Sequence, residues 1–147
     1  MTRVNARETA VMILFGANVA GEDYPSFCDR FLEEEHFASL SGENETYAEK
    51  PDEAQLAYIK GLVSGVYEHL EEIDALISQY LRGWTLSRIP GTALAALRCA
   101  VYEIKYSPDV PDGAAINAAV EIDKKYDDPE TVSFVNGVLR SITRAEQ

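Results

Sequence analysis

Lys124, Lys125 and Tyr126 set two cations beside an aromatic ring, and Phe134 and Asn136 follow after the Asp127–Thr131 turn. Such residues suit single-stranded nucleic acid, because rings stack on bases while ammonium groups meet phosphates. They also suit a solvated helix end with Tyr126 and Phe134 turned into a core, and composition alone favours that second reading. Catalysis would need a nucleophile, a tuned acid or base, or a metal. Glu33 and His36 form one Glu-x-x-His, but a di-iron bundle needs that motif on two helices. His69 and Glu72 lie one helical turn apart with no third ligand at a suitable spacing, so a surface or packing pair is expected. Gly61 and Gly65 form a GxxxG with no strand before it, which points to close helix packing rather than phosphate binding. Cys28 and Cys99 form no CxxC, and Cys99, although beside Arg98, sits in an apolar stripe and reads as an inert core thiol. No enzyme, cofactor or metal is expected.

The elements that must position these residues are helices. Ile59, Leu62, Val63, Val66, Tyr67 and Leu70 draw one apolar stripe at helical spacing. A second stripe, from Ile73 to Trp84, starts one residue out of phase, so a boundary is expected near Glu71 and Glu72. Five further segments repeat the pattern, around Leu14, Phe31, Leu97, Ile116 and Leu139, giving seven helical segments and an all-α fold. Pro25, Pro51, Pro90, Pro111 and Pro129 lie near proposed starts, where a missing N–H costs nothing, and Asp128 is placed to cap the last helix. No sustained two-residue alternation or hairpin signal suggests a sheet. Ser39 to Glu53 shows no apolar period and reads as a mobile acidic connector whose shortening should leave stability nearly unchanged.

The 147 residues match one ordinary domain and need no disulfide or metal to fold. The net charge of −12 would argue against a polyanionic partner if it were evenly spread. It is not. Residues 22 to 53 hold eleven Asp and Glu against Arg30 and Lys50, while the first 21 carry Arg3, Arg7 and the terminal amine against Glu8 alone. The amino end and the Lys124 region are therefore the basic spots outside the acidic block, and they could meet on one face. Arg3 and Arg7 precede an apolar stretch that reads as an amphipathic helix rather than a secretory signal. The longest uncharged run, 13 residues from Thr9 to Gly21, falls short of the ~20 needed to cross a bilayer. A cytoplasmic protein without a membrane partner is expected.

The segments RETAVMILF, GLVSGVYEHLEEID, LRGWTLSRI, LRCAVYEIKYSPDVP, AINAAVEIDKKY and SFVNGVL follow one another in this order. The series resembles the NusB family of bacterial transcription antitermination factors, from about Arg3 to Ile142. The resemblance implies a seven-helix bundle of two packed helical subdomains, forming a single RNA-binding domain over residues 1–147. It implies that the chain joins NusE, a small-subunit ribosomal protein, on the boxA element of nascent ribosomal RNA leaders. With other Nus factors the complex would keep RNA polymerase from terminating early. On matching positions, Arg3 and Arg7 supply the basic start, Lys124, Lys125 and Tyr126 the basic-aromatic position, and Phe134 and Asn136 lie in FVNG. Docking of the protein partner is expected on the helices of Tyr67, Glu68 and Glu72, of Arg82 and Trp84, and of Arg98 and Glu103, whose charged members flank apolar stripes.

Two departures bear on affinity: Ala118 stands where the family's INEA has an acid, and the basic start holds few arginines. RNA binding is therefore expected to lean on NusE. The resemblance also implies that two copies can pair through the RNA-binding surface. NusB-like domains open an RNA cytosine methyltransferase, whose catalytic domain is not expected at this length. The other reading is a protein-only adaptor of the same fold that does not contact RNA. The fold expectation has a direct check, since far-ultraviolet circular dichroism should be dominated by helix with negligible strand signal, and substantial sheet would overturn it.

Overall fold

The computed structural model describes residues 1–40, 42 and 44–145, with the backbone alone at 34 and 35. Among the described residues there are eight α-helices, two 3-10 turns and no strand. The helices are α1 (Arg3–Ala20), α2 (Tyr24–Phe31), α3 (Glu34–Leu40), α4 (Glu53–Glu68), α5 (Leu70–Ser78), α6 (Gly91–Tyr106), α7 (Asp112–Asp123) and α8 (Pro129–Ala145). The all-α expectation holds, and the helix beyond the expected seven is α3, too short to show an apolar period. The break between the two out-of-phase stripes falls at His69, two residues before the expected place. The chain divides into two compact units, Met1–Tyr67 and Glu68–Gln147.

In the first unit, α1 starts where the Thr2 hydroxyl accepts from the Asn5 N–H at 3.0 Å. It stops at Gly21, whose φ of 70° is the left-handed conformation that ends helices and favours glycine. Asp23 then caps α2 by accepting from the Ser26 N–H at 2.8 Å, and that bond holds its carboxyl below the usual carboxylate range. The two helices approach closely at Gly16, where a Cβ would stand 2.5 Å from the Phe27 ring. Close packing expected at Gly61 does not occur: that residue is exposed and a Cβ there would meet nothing within 4 Å. Cys28 is buried, which pushes its thiol up to about 11 and makes it unreactive.

The expected acidic connector does contain buried side chains. Ser41 and Glu43 lie outside the described residues, but Glu45–Tyr47 form a 3-10 turn with Thr46 and Tyr47 buried. The Tyr47 ring sits edge-on to Phe31 and Phe37, with centroids 5.8 and 5.6 Å away. The Thr46 hydroxyl donates to the buried Glu8 carboxylate at 2.9 Å, answering an acid that α1 carries into the interior. These anchors are single residues in a polar stretch, so no periodicity announces them. Tolerance to shortening is therefore not expected across the turn. Tyr47→Ala should cost about 3–5 kcal/mol in urea unfolding, and a change within 0.5 kcal/mol would mean the turn is not part of the core.

In the second unit, α6 packs against α5, α7 and α8. Ala93, Ala95, Ala96, Leu97, Cys99, Ala100 and Val101 are all buried, so this helix is covered on nearly every side. Pro90, Pro111 and Pro129 stand at the starts of α6, α7 and α8. Asp128 caps α8 as expected, accepting from the Thr131 N–H at 2.8 Å, with its carboxyl held low by that bond. Ile73 and Ile77 of α5 and Val135, Leu139 and Ile142 of α8 complete the core.

Candidate nucleic-acid interface

On the first unit, Arg3 and Arg7 stand one turn apart on α1, a spacing that brings side chains together. The Arg3 guanidinium lies 3.5 Å from the centroid of the Tyr58 ring of α4, and that of Arg7 lies 5.9 Å away. Tyr58 thus gathers two cations around one partly exposed ring. Sequence reading missed it, because it precedes Ile59 and lies just off the apolar stripe. The terminal amine, counted as a third positive charge, is bound by Glu49 at 2.9 Å, an ion pair that holds the Glu49 carboxyl low. The basic start is therefore two arginines and a ring.

On the second unit, Lys124 and Lys125 are exposed at the end of α7, and Tyr126 is half-buried. The Lys124 ammonium reaches Glu121 one turn earlier at 2.9 Å, an exposed pair of little energetic weight that a phosphate can displace. Lys124 and Asn136 line one shallow hollow together with Val120, Asp127 and Ser133. Phe134 does not join them. Its ring stacks on Trp84, centroids 4.6 Å apart and planes at 21°, in a second hollow that also holds Arg82, Arg140 and Arg144. Asn136 touches both, because its Oδ1 accepts from the Arg140 Nε at 3.2 Å.

Of the residues expected at a protein interface, Tyr67 is 46% exposed on the first unit, its ring 5.9 Å from that of Tyr24. On the second unit Glu68 and Glu72 are exposed. Glu72 accepts from the Tyr106 hydroxyl, which lowers the Glu72 carboxyl and raises the Tyr106 phenol. His69 stacks on Tyr106 at 4.1 Å, so the His69–Glu72 spacing serves packing, as expected. Arg98 and Glu103 differ from expectation. They are 9% and 1% exposed, and Arg98 makes two 2.9 Å bonds to Asp74, one from Nε and one from Nη2. A charge on a helix covered all round turns inward to a partner, so neither residue offers a docking surface.

The turn that presents Lys124 to Tyr126 is built on an acid. The Asp123 carbonyl accepts from the N–H groups of Tyr126 and Asp127 at 3.1 and 2.9 Å, and the Thr92 hydroxyl fixes Asp127 from α6 at 2.7 Å. The Asp123 side chain is fully buried, and neither oxygen has a hydrogen-bond partner among the described residues. Burial, reinforced by the neighbouring Asp127 and by the charge of Asp128, pushes its carboxyl up to about 8. The folded protein therefore holds this proton where the unfolded chain, near 3.8, has released it. That contribution is complete below about pH 4 and is lost as pH rises through about 8, at up to ~1.4 kcal/mol per pH unit. Asp123→Asn should flatten the fall of the melting temperature between about pH 4 and 8 and stabilise the protein most at the upper end. Parallel melting curves across that range would show that Asp123 is ionised in the fold.

With this geometry in place, three comparisons bear on identity. A protein called transcription antitermination protein NusB, from Clavibacter sepedonicus, is 37% identical over 145 residues, 98% of this chain and 97% of that protein. Its namesake from Symbiobacterium thermophilum is 38% identical over 144 residues, 98% of this chain and 90% of the relative. The structure of T. maritima NusB superposes with a TM-score of 0.81 at 30% identity, covering 98% of this chain and 92% of that one. A crystal structure described as antitermination factors NusB and NusE in complex with dsRNA matches with a TM-score of 0.76 at 27% identity, over 99% of both chains. The family model for NusB matches residues 4–144, and the chain belongs to the NusB family.

Proposed function

We propose that this chain is a transcription antitermination factor that joins NusE on the boxA element of nascent ribosomal RNA leaders and helps RNA polymerase, with other Nus factors, resist premature termination. The observation that carries this reading is the full-length likeness to proteins of that name, together with the matched NusB–NusE–RNA complex. The chain acts by recognition in the bacterial cytoplasm and catalyses no reaction. Arg3 and Arg7 around Tyr58 on the first unit, and Lys124, Lys125, Tyr126, Phe134 and Asn136 on the second, are the RNA-facing residues. The NusE-facing residues are Tyr67 on the first unit and Glu68, Glu72, Arg82 and Trp84 on the second. Arg98 and Glu103 leave that set because they are buried.

A gel shift with boxA-type RNA, single-stranded and in a duplex, run with and without NusE, tests the reading. Binding that appears or strengthens with NusE is the expected result. Arg7→Ala and Lys124→Ala should each lower the slope of log K against log salt by about 0.7 for a single strand, whatever its sequence. Tyr126→Ala should instead cost about 1–3 kcal/mol with little change in slope, since stacking releases no counterions. Each variant is first shown to melt as the parent does. If Arg7→Ala and Lys124→Ala bind with unaltered affinity and slope, the protein-only adaptor becomes the better account.

A further inference from the structure

The hollow that takes Phe134 away from the other expected RNA residues has a character of its own. It encloses about 340 Å³ and is lined by Tyr80, Arg82, Trp84, Phe134, Arg140, Ser141 and Arg144 with the backbone of Gly137, and among the described residues no carboxylate lines it. The chain carries 13 Lys and Arg against 25 Asp and Glu, so three arginines gathered in one hollow run against its overall charge. All three are exposed, and none is in an ion pair among the described residues. Arg140 spends one donor on Asn136, and a guanidinium has five.

The surroundings aim these groups. Asn136, Arg140 and Arg144 recur every fourth residue along α8, a single row with about 6 Å between members, close to the repeat of phosphates along an extended strand. Arg82 has a φ of 47°, a left-handed conformation that costs a non-glycine residue about 1 kcal/mol. Gly83 follows at 94°, and the Trp84 N–H closes the turn on the Leu81 carbonyl at 3.1 Å. This strained turn holds Arg82 and Trp84 at the hollow together. Trp84 and Phe134 stack on each other and are only partly buried, which leaves ring surface at the rim.

We propose that this hollow is a second RNA subsite, in which Arg82, Arg140 and Arg144 bind consecutive backbone phosphates and a base stacks against the Trp84–Phe134 pair. The inference rests on the RNA-binding reading and extends it to residues which that reading leaves out. It also moves Arg82 and Trp84 from the protein-docking set to the RNA. Guanidinium forks match phosphate oxygens two at a time, and every base has a face to stack. An acidic protein segment would meet the arginines but has no use for the stacked rings, so RNA is the occupant the chemistry favours.

Trp84 is the only tryptophan in the chain, so its emission reports on the subsite alone. The test uses the intact protein, boxA-type RNA labelled at one end for anisotropy, and NusE. Expected is quenching of Trp84 on adding RNA, with the same midpoint as the anisotropy. Arg140→Gln with Arg144→Gln should lower the salt slope by about 1.4, and Arg140→Lys with Arg144→Lys should restore it. Both pairs of substitutions are at exposed positions, and an unchanged melting temperature shows that the fold is kept. RNA binding with unchanged Trp84 emission and an unchanged slope would overturn the subsite while leaving RNA binding by the chain intact. Quenching by NusE alone, with the arginine variants weakening NusE rather than RNA, would overturn it in favour of a protein site. Absence of RNA binding by the parent protein, even with NusE, would overturn the reading beneath it as well.

Discussion

A guanidinium on a helix covered on nearly every side is tolerable only with a matched partner, and in the second unit Asp74 meets Arg98 with two parallel 2.9 Å bonds. Much else follows from that pair. Removing one member of a buried ion pair typically costs about 3–5 kcal/mol, because the other charge is left in the interior. The pair locks α5 to α6, and α5 runs into the turn that carries Arg82, Gly83 and Trp84. The indole of Trp84 in turn seats Phe134 of α8. Arg98, 36 positions before Phe134, thus governs a surface on α8 only through a chain of directional contacts: a bidentate fork, a strained turn, a ring stack. Apolar packing alone would fix the distances between these helices far better than their rotation, and rotation decides which residues of α8 face the hollow.

The acidic block looks different once its members are followed individually. Asp23 caps α2, Glu22 pairs with Arg30, Glu49 binds the terminal amine and Asp52 accepts from the Gln55 N–H at 2.8 Å. These four acids are committed to helix ends and local pairs in the first unit, while Asp29, Glu33, Glu45 and Glu53 of the same block are exposed. The second unit commits Asp128 to a cap and Asp74 to Arg98, but leaves the buried Asp123 carboxyl without a hydrogen-bond partner among the described residues. Burial pushes that carboxyl up, and Asp123 begins the turn that carries the exposed Lys124 and Lys125. A proton on Asp123 keeps the negative charge of that turn from growing beside the two ammonium groups.

Helical periodicity made most of the fold legible before any coordinates. It identified the stripes of α1, α2, α4, α5, α6, α7 and α8, and the proline and Asp128 signals marked the starts of α2, α4, α6, α7 and α8, because burial of one face and capping are local properties that a single chain records. What escaped is non-local. Gly16 and Gly61 look alike in sequence, yet only Gly16 has an aromatic ring against it. Tyr47 sits in a polar stretch with no periodic neighbours and is buried through Phe31 and Phe37 from other elements. Arg98 flanks an apolar stripe just as a docking residue would, and the difference is Asp74, 24 positions earlier. At the candidate site, residue types suggested cations and rings, and both are present. Their partition was not readable: Phe134 and Asn136 are two positions apart, and a helix turns them about 200° away from each other.

Under the proposed function, that partition bears on how a protein with a net charge of −12 would address a polyanion. At physiological salt, charges farther than about 8 Å contribute little to a contact, so what a phosphate meets is the local arrangement rather than the sum. Among the described residues, the hollow of Arg82, Arg140 and Arg144 has no lining carboxylate, and the Arg3–Arg7 pair surrounds a tyrosine ring. The overall charge still acts at longer range, where it slows the approach of RNA and steers poorly. Local attraction with long-range repulsion would let such a protein bind RNA tightly only once something else had brought the strand close. Under the proposed function a second RNA-binding chain on the same element would do that, placing the burden of encounter on the partner and leaving discrimination to the aromatic and arginine contacts.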